Sequence, residues 1–144
     1  MISATKIAET LGGRSVLRER LADYTAVIHR ARAGLPFAAL EAVAKRYEVP
    51  VARLAQVLGL PPRTLARRKK EQRLSAEESD RLVRLARVAA VAEDVLETRE
   101  IASEWLRTPN SALGGHAPFD QLGSDLGAEQ VETLLVRIDH GVYS

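Results

Sequence analysis

Apolar residues recur every three or four positions along almost the whole chain, and few stretches alternate with the period of two that a strand needs. Short helices are expected over residues 4–11, ended by Gly12-Gly13, and around 16–22. A third is expected over 25–33, with Asp23 as its N-cap and Gly34 as the left-handed stop. Pro36 is expected to open the next, 36–47, since proline at a first helical position gives up only an amide that has no partner. Leu40, Val43, Ala44 and Tyr47 form its stripe. Val49-Pro50 interrupts, because the residue before a proline is pushed out of the helical region. A helix over 51–58 follows, with Leu54, Ala55 and Leu58 on one face, then Gly59 and a helix over 62–70.

Ser75 and Glu78 have the spacing of a capping box, ahead of a long helix running from 76 to about 97 with Leu82, Leu85, Ala89 and Leu96 in a stripe. The pairs Glu77/Arg81 and Asp80/Arg84, four apart, are expected to support it on the solvent side. Thr98 can cap a further helix carrying Ile101, Trp105 and Leu106, and Trp105, the single tryptophan, is expected as a buried anchor, with a partner surface as the second reading. Proline, asparagine, serine and two glycines within residues 108–117 predict a loop. After a short turn at 118–122, Val131, Leu134, Leu135 and Ile138 stripe a last helix that Gly141 stops. The expected class is all-α, without internal repeat.

Composition narrows the chemistry. Apolar residues make up 46% of the 144, enough for a core, and cysteine is absent, which excludes disulfides, thiolate nucleophiles and zinc–cysteine sites. The longest apolar run, residues 88–92, is far short of the roughly 20 a membrane span needs, and no secretory signal is visible, so a soluble cytoplasmic protein is expected. No cofactor or metal site is expected: His29, His116 and His140 are far apart in sequence. Asp139-His140 suggests a dyad, but helical neighbours point about 100° apart and no nucleophile accompanies them. The net charge of +2 hides an asymmetry: residues 1–36 carry +3 and 37–73 carry +6, against −3 for 74–108 and −4 for 109–144. The basic front attracts phosphate, while a solvated basic face is the plain alternative. Glu93, Asp94, Glu97 and Glu100 are expected as a solvated acidic face, with contact to a basic cleft in a partner as the alternative.

Residues 51–70 read as helix, glycine turn, helix, the order of a helix-turn-helix. With Leu65 as core anchor at zero, Arg63, Arg67 and Lys70 fall at about 160°, 200° and 140°, and Thr64 and Arg68 flank them at about −100° and −60°. Such a face suits base edges at its centre and phosphates at its flanks, so Arg63, Thr64, Arg67, Arg68 and Lys70 are the candidate DNA-binding residues.

The run LAQVLGLPPRTLARRKKEQRLSAEESDRLVRLARV, residues 54–88, resembles the DNA-binding region of Xre/MbcA/ParS-type antitoxins. ASEWLRTPNSALGGHAPFDQL at 102–122 and GAEQVETLLVRIDHGVYS at 127–144 are similar to the toxin-binding domain of that family, in the same order, and Gly34-Leu35-Pro36 sits where its front helices have it. The resemblance implies an Xre/Cro-like helix-turn-helix region followed by a small helical toxin-binding domain. It implies an antitoxin of a type II pair whose partner is an NAD-consuming RES-domain toxin, which degrades NAD or transfers its ADP-ribose. The antitoxin blocks that enzyme and represses its own operon. The expected division is N-terminal helices over 1–36, a candidate for dimerisation, a DNA-binding region over 37–97, and a toxin-binding domain over 98–144. A homodimer or higher oligomer is expected, because one recognition helix cannot span two half-sites about 34 Å apart.

Candidate toxin contacts are His116, His140, Val142, Tyr143 and Ser144. An exposed loop histidine and a frayed terminus are the plain readings of those positions. The functional one has Tyr143 plugging the toxin's cleft, with the chain-end carboxylate meeting an arginine there. A stand-alone helix-turn-helix regulator, with an effector-binding or dimerising back half, is the alternative. An enzyme is disfavoured by the missing nucleophile, metal cluster and phosphate loop.

Overall fold

The computed structural model describes residues 2–141, and all of their regular elements are helical. In chain order they are α1 (Ala4–Thr10), α2 (Gly13–Leu17), α3 (Tyr24–Arg32), α4 (Phe37–Arg46), α5 (Val51–Val57), α6 (Pro62–Glu71), α7 (Ala76–Leu96), α8 (Arg99–Arg107), α9 (Pro118–Gln121) and α10 (Asp125–Asp139). A single 3-10 turn, Ser111–Leu113, lies between α8 and α9. Side-chain oxygens of Asp23, Ser75, Thr98 and Ser124 cap α3, α7, α8 and α10, and Glu78 completes the capping box of α7. None of the helices found is long and apolar enough to cross a membrane.

Helix α7 is the spine, with α1, α3, α8 and α10 packed around it. Its Leu82, Leu85, Ala86, Val88, Ala89, Ala90 and Ala92 are all fully buried. The helix is therefore covered on most of its circumference around residues 88–92, the stretch that is apolar on every side. Alanine makes this possible by letting several helices approach one axis.

Four expectations are corrected. The second helix spans Gly13–Leu17 and not 16–22, because Arg18 turns left-handed at φ 65° and donates its N–H to the Arg14 carbonyl. Leu17 and Leu21 still both reach the core. The pairs Glu77/Arg81 and Asp80/Arg84 do not form. Arg81 donates instead to the Leu58 carbonyl at 3.1 Å, and Arg84 to Asp125 and the Gly123 carbonyl. Exposed pairs four apart contribute only about 0.3–0.5 kcal/mol, so sheltered partners on other elements win. Trp105 is half-buried, with its body packed on the core and the rest at the surface.

The fourth correction concerns Glu93, which is buried and not solvated. It accepts from Arg46 Nε and Nη2, both at 2.8 Å, from the Tyr47 hydroxyl at 2.5 Å, and from Lys6 Nζ at 3.4 Å. Burial works against its charge, yet the Arg46 and Tyr47 hydrogen bonds outweigh burial and hold the carboxyl below the usual carboxylate range. Burial and that neighbouring charge push the Tyr47 hydroxyl far above its ordinary value, so it remains a donor. Tyr47 also meets the Phe119 ring edge-on at 5.8 Å, and its carbonyl accepts from Ser103 Oγ at 2.8 Å. The C-terminal end of α4 is thus fastened to α7, α8 and α9 together.

Candidate nucleic-acid and protein interfaces

Helix α5 closes at Leu58, and Gly59, at φ +78°, lets the Leu60 amide return to the Ala55 carbonyl at 2.8 Å. Leu54, Ala55, Leu58 and Leu60 are buried, which fixes the turn to the core. Pro61 then enters α6 extended and Pro62 takes its first position. Helix α6 itself buries no residue fully. Leu65, expected as a core anchor, is half-buried and rests on the edge of the core. The helix stands proud of the body.

Arg63, Arg67 and Lys70 are exposed, and Thr64 is half-buried beside Leu65. Among the described residues Arg67 makes only a long contact to Glu71, at 3.8 Å. Arg68 is turned inward: its Nε donates to Glu78 at 2.7 Å and its Nη1 to Glu71 at 3.2 Å. Burial opposes the charge of Glu78, but hydrogen bonds from Arg68 and from the Ser75 amide hold its carboxyl below the ordinary value. Arg68 therefore ties α6 to the capping box of α7, and the outward cationic face is made by Arg63, Arg67 and Lys70.

The second surface is in the back half. Residues 108–117 form an ordered hairpin-like loop in which the Asn110 amide donates to the His116 carbonyl at 3.1 Å and Asn110 Oδ1 accepts from the Ala112 amide. His116 is exposed at its far end. The 3-10 turn and α10 bound a groove whose lining mixes apolar Leu113, Leu126 and Leu134 with polar Glu129, Gln130 and Arg137. Leu126 is 72% exposed, and Val136 on the same helix 51%. His140 is exposed as the C-cap of α10. Val142, Tyr143 and Ser144 lie outside the described residues. Sequence reasoning missed Leu126 and Val136, although each lies about 140° from Val131 on the helical wheel, off the core stripe.

Comparison with known proteins is consistent with this layout. Residues 26–87 match the antitoxin Xre-like helix-turn-helix domain, and residues 91–141 match the antitoxin Xre/MbcA/ParS C-terminal toxin-binding domain. An Antitoxin Xre from Yersinia enterocolitica is 30% identical over 122 residues, which cover 83% of this chain and 82% of that protein. An Antitoxin Xre from Pseudomonas putida is 39% identical over 83 residues, 57% of this chain and 52% of the relative. A Prs ADP-ribosylating antitoxin from a Sphingobium species is 35% identical over 82 residues, 51% of this chain and 52% of the relative. The two matched segments meet within α7.

Proposed function

The chain belongs to the Xre antitoxin family, and from that premise we propose that it neutralises a RES-domain toxin that consumes NAD and represses its own operon by binding operator DNA. The observation that carries this reading is the pairing of an unburied cationic helix with a separate groove of mixed apolar and polar lining, one in each matched segment. Arg63 and Arg67 read base edges, where a bidentate arginine–guanine contact is the commonest specific one. Lys70 and Thr64 meet phosphate, and the inward Arg68 positions α6.

Toxin contact is assigned to the groove beside α10 and the exposed Val136 on the same helix, to His116 and His140, and to Val142, Tyr143 and Ser144. Inhibition is then steric occlusion of NAD entry, without covalent change to the toxin. The name of the Sphingobium relative supports a partner with ADP-ribose chemistry. The working unit is a dimer or higher oligomer, since each chain offers one recognition helix and two-fold operators place half-sites about 34 Å apart. Co-expression with a neighbouring reading frame encoding a RES domain tests the partnership. The two chains are expected to co-purify as a complex without NAD consumption. Independent migration of the two chains would refute it.

A further inference from the structure

A basic groove opens where α6 ends. Its walls include Arg18, Glu19, His29, Arg30, Gln72 and Arg73, drawn from the α2–α3 connection, the end of α3 and the segment just after α6. The backbone holds these pieces in place: Pro36 and Arg73 form an antiparallel bridge, and the Phe37 amide donates to the Gln72 carbonyl at 3.1 Å. Gly34, at φ +89°, lets the Arg73 stem lie across it; a Cβ there would stand 3.2 Å from Arg73 Cγ and Cδ. Arg30 forms part of the inner wall, donating to the Gly34 carbonyl at 2.6 Å with Glu19 at 3.9 Å. Arg18, His29 and Arg73 are exposed and have no carboxylate partner among the described residues.

Helix α6 has ten residues, a length of about 15 Å. The major groove is about 12 Å wide. A helix entering by its proline-led N-terminus therefore brings its C-terminal end to the sugar–phosphate backbone that borders the groove. Gln72 and Arg73 lie at that end, and the basic groove continues from them.

We propose that this groove is a second DNA-contact surface, built by the N-terminal helices, that grips the phosphodiester backbone bordering the site read by α6. Arg18 and Arg73 supply the charge, and His29 donates a hydrogen bond to a phosphate oxygen. The assignment rests on the DNA-binding reading of α6 and adds to it His29 and Arg73 within the matched helix-turn-helix segment and Arg18 outside it. Because phosphate contacts carry no base information, the groove supplies affinity and salt sensitivity and leaves base preference to Arg63 and Arg67.

The test uses the full chain and a 40-base-pair duplex that it selects from a random pool. Binding is titrated over a series of salt concentrations. Each of Arg18→Gln and Arg73→Gln is expected to lower the slope of log K against log[salt] by about 0.9 for each bound protomer, and the double variant by about 1.8 per protomer, with unchanged preference over a shuffled duplex. Glutamine retains most of the stem, and either single variant reports if the double fails to fold. Arg63→Ala, run in parallel, is expected to lose base preference. Wild-type slopes in both glutamine variants, with preference lost in Arg63→Ala, would overturn the groove and leave the α6 reading standing. A wild-type chain that selects no duplex would overturn both.

Discussion

Glu93 holds together residues that are distant in sequence, since Lys6, Arg46 and Tyr47 all converge on its carboxylate. Removing one partner of a buried ion pair costs about 3–5 kcal/mol, because the other charge is left without compensation. Glu93→Ala is expected to destabilise the fold by about that amount in denaturant titrations, with Glu93→Gln less severe. The pH dependence follows from the depressed carboxyl pKa in the folded state. Against an unfolded value of about 4.3, the stabilisation is complete above that value and is lost as pH falls through the folded one. The wild type should therefore weaken on acidification below about pH 4, and Glu93→Gln should flatten that limb of the stability profile. On the recognition helix, Arg63→Ala and Arg67→Ala are each expected to weaken specific DNA binding by about 1–3 kcal/mol in fluorescence titrations. Their melting temperatures should barely change, because α6 buries no residue fully.

Among the elements, α6 depends most on a distant partner. With no fully buried side chain, it is held by Leu65, by the turn after α5 and by the Arg68–Glu78 pair. Glu78→Ala removes that pair together with half of the α7 capping box. The expected cost is about 0.5–2 kcal/mol of stability, of the size of a lost cap, with faster amide exchange in α6 than in α4. Equal protection of both helices in the variant would show that Arg68 does not anchor α6. The caps were legible in the sequence because each is a local rule: Asp23, Ser75 with Glu78, Thr98, and glycine at the helix ends. The partners of Arg81, Arg84 and Glu93 were not. Long charged side chains choose among groups that only the tertiary fold brings near, and the local pairing rule selects neighbours on the same helix. The cationic face of α6 was legible from helical spacing, whereas the inward turn of Arg68 depended on where Glu78 lies.

At the scale of the whole molecule, the two matched segments share α7, so no flexible linker separates the proposed DNA-facing surface from the proposed partner-facing one. Tyr47 and Glu93 pack the end of α4 against α7, α8 and α9, and Gly123 brings the α9–α10 connection so close to α5 that a Cβ would lie 2.3 Å from the Val57 carbonyl. Light scattering of the free protein at micromolar concentration is expected to give at least twice the chain mass of 15.8 kDa; the mass of one chain would contradict a dimeric repressor. The most direct measurement is NAD consumption by the proposed RES-domain partner when co-expressed with wild type and with Leu126→Asp/Val136→Asp. These two side chains are exposed, so the double variant should fold, bind the selected duplex as the wild type does, and release NAD consumption that the wild type suppresses. Full suppression by a folded double variant would contradict the claim that the α10 surface neutralises the toxin.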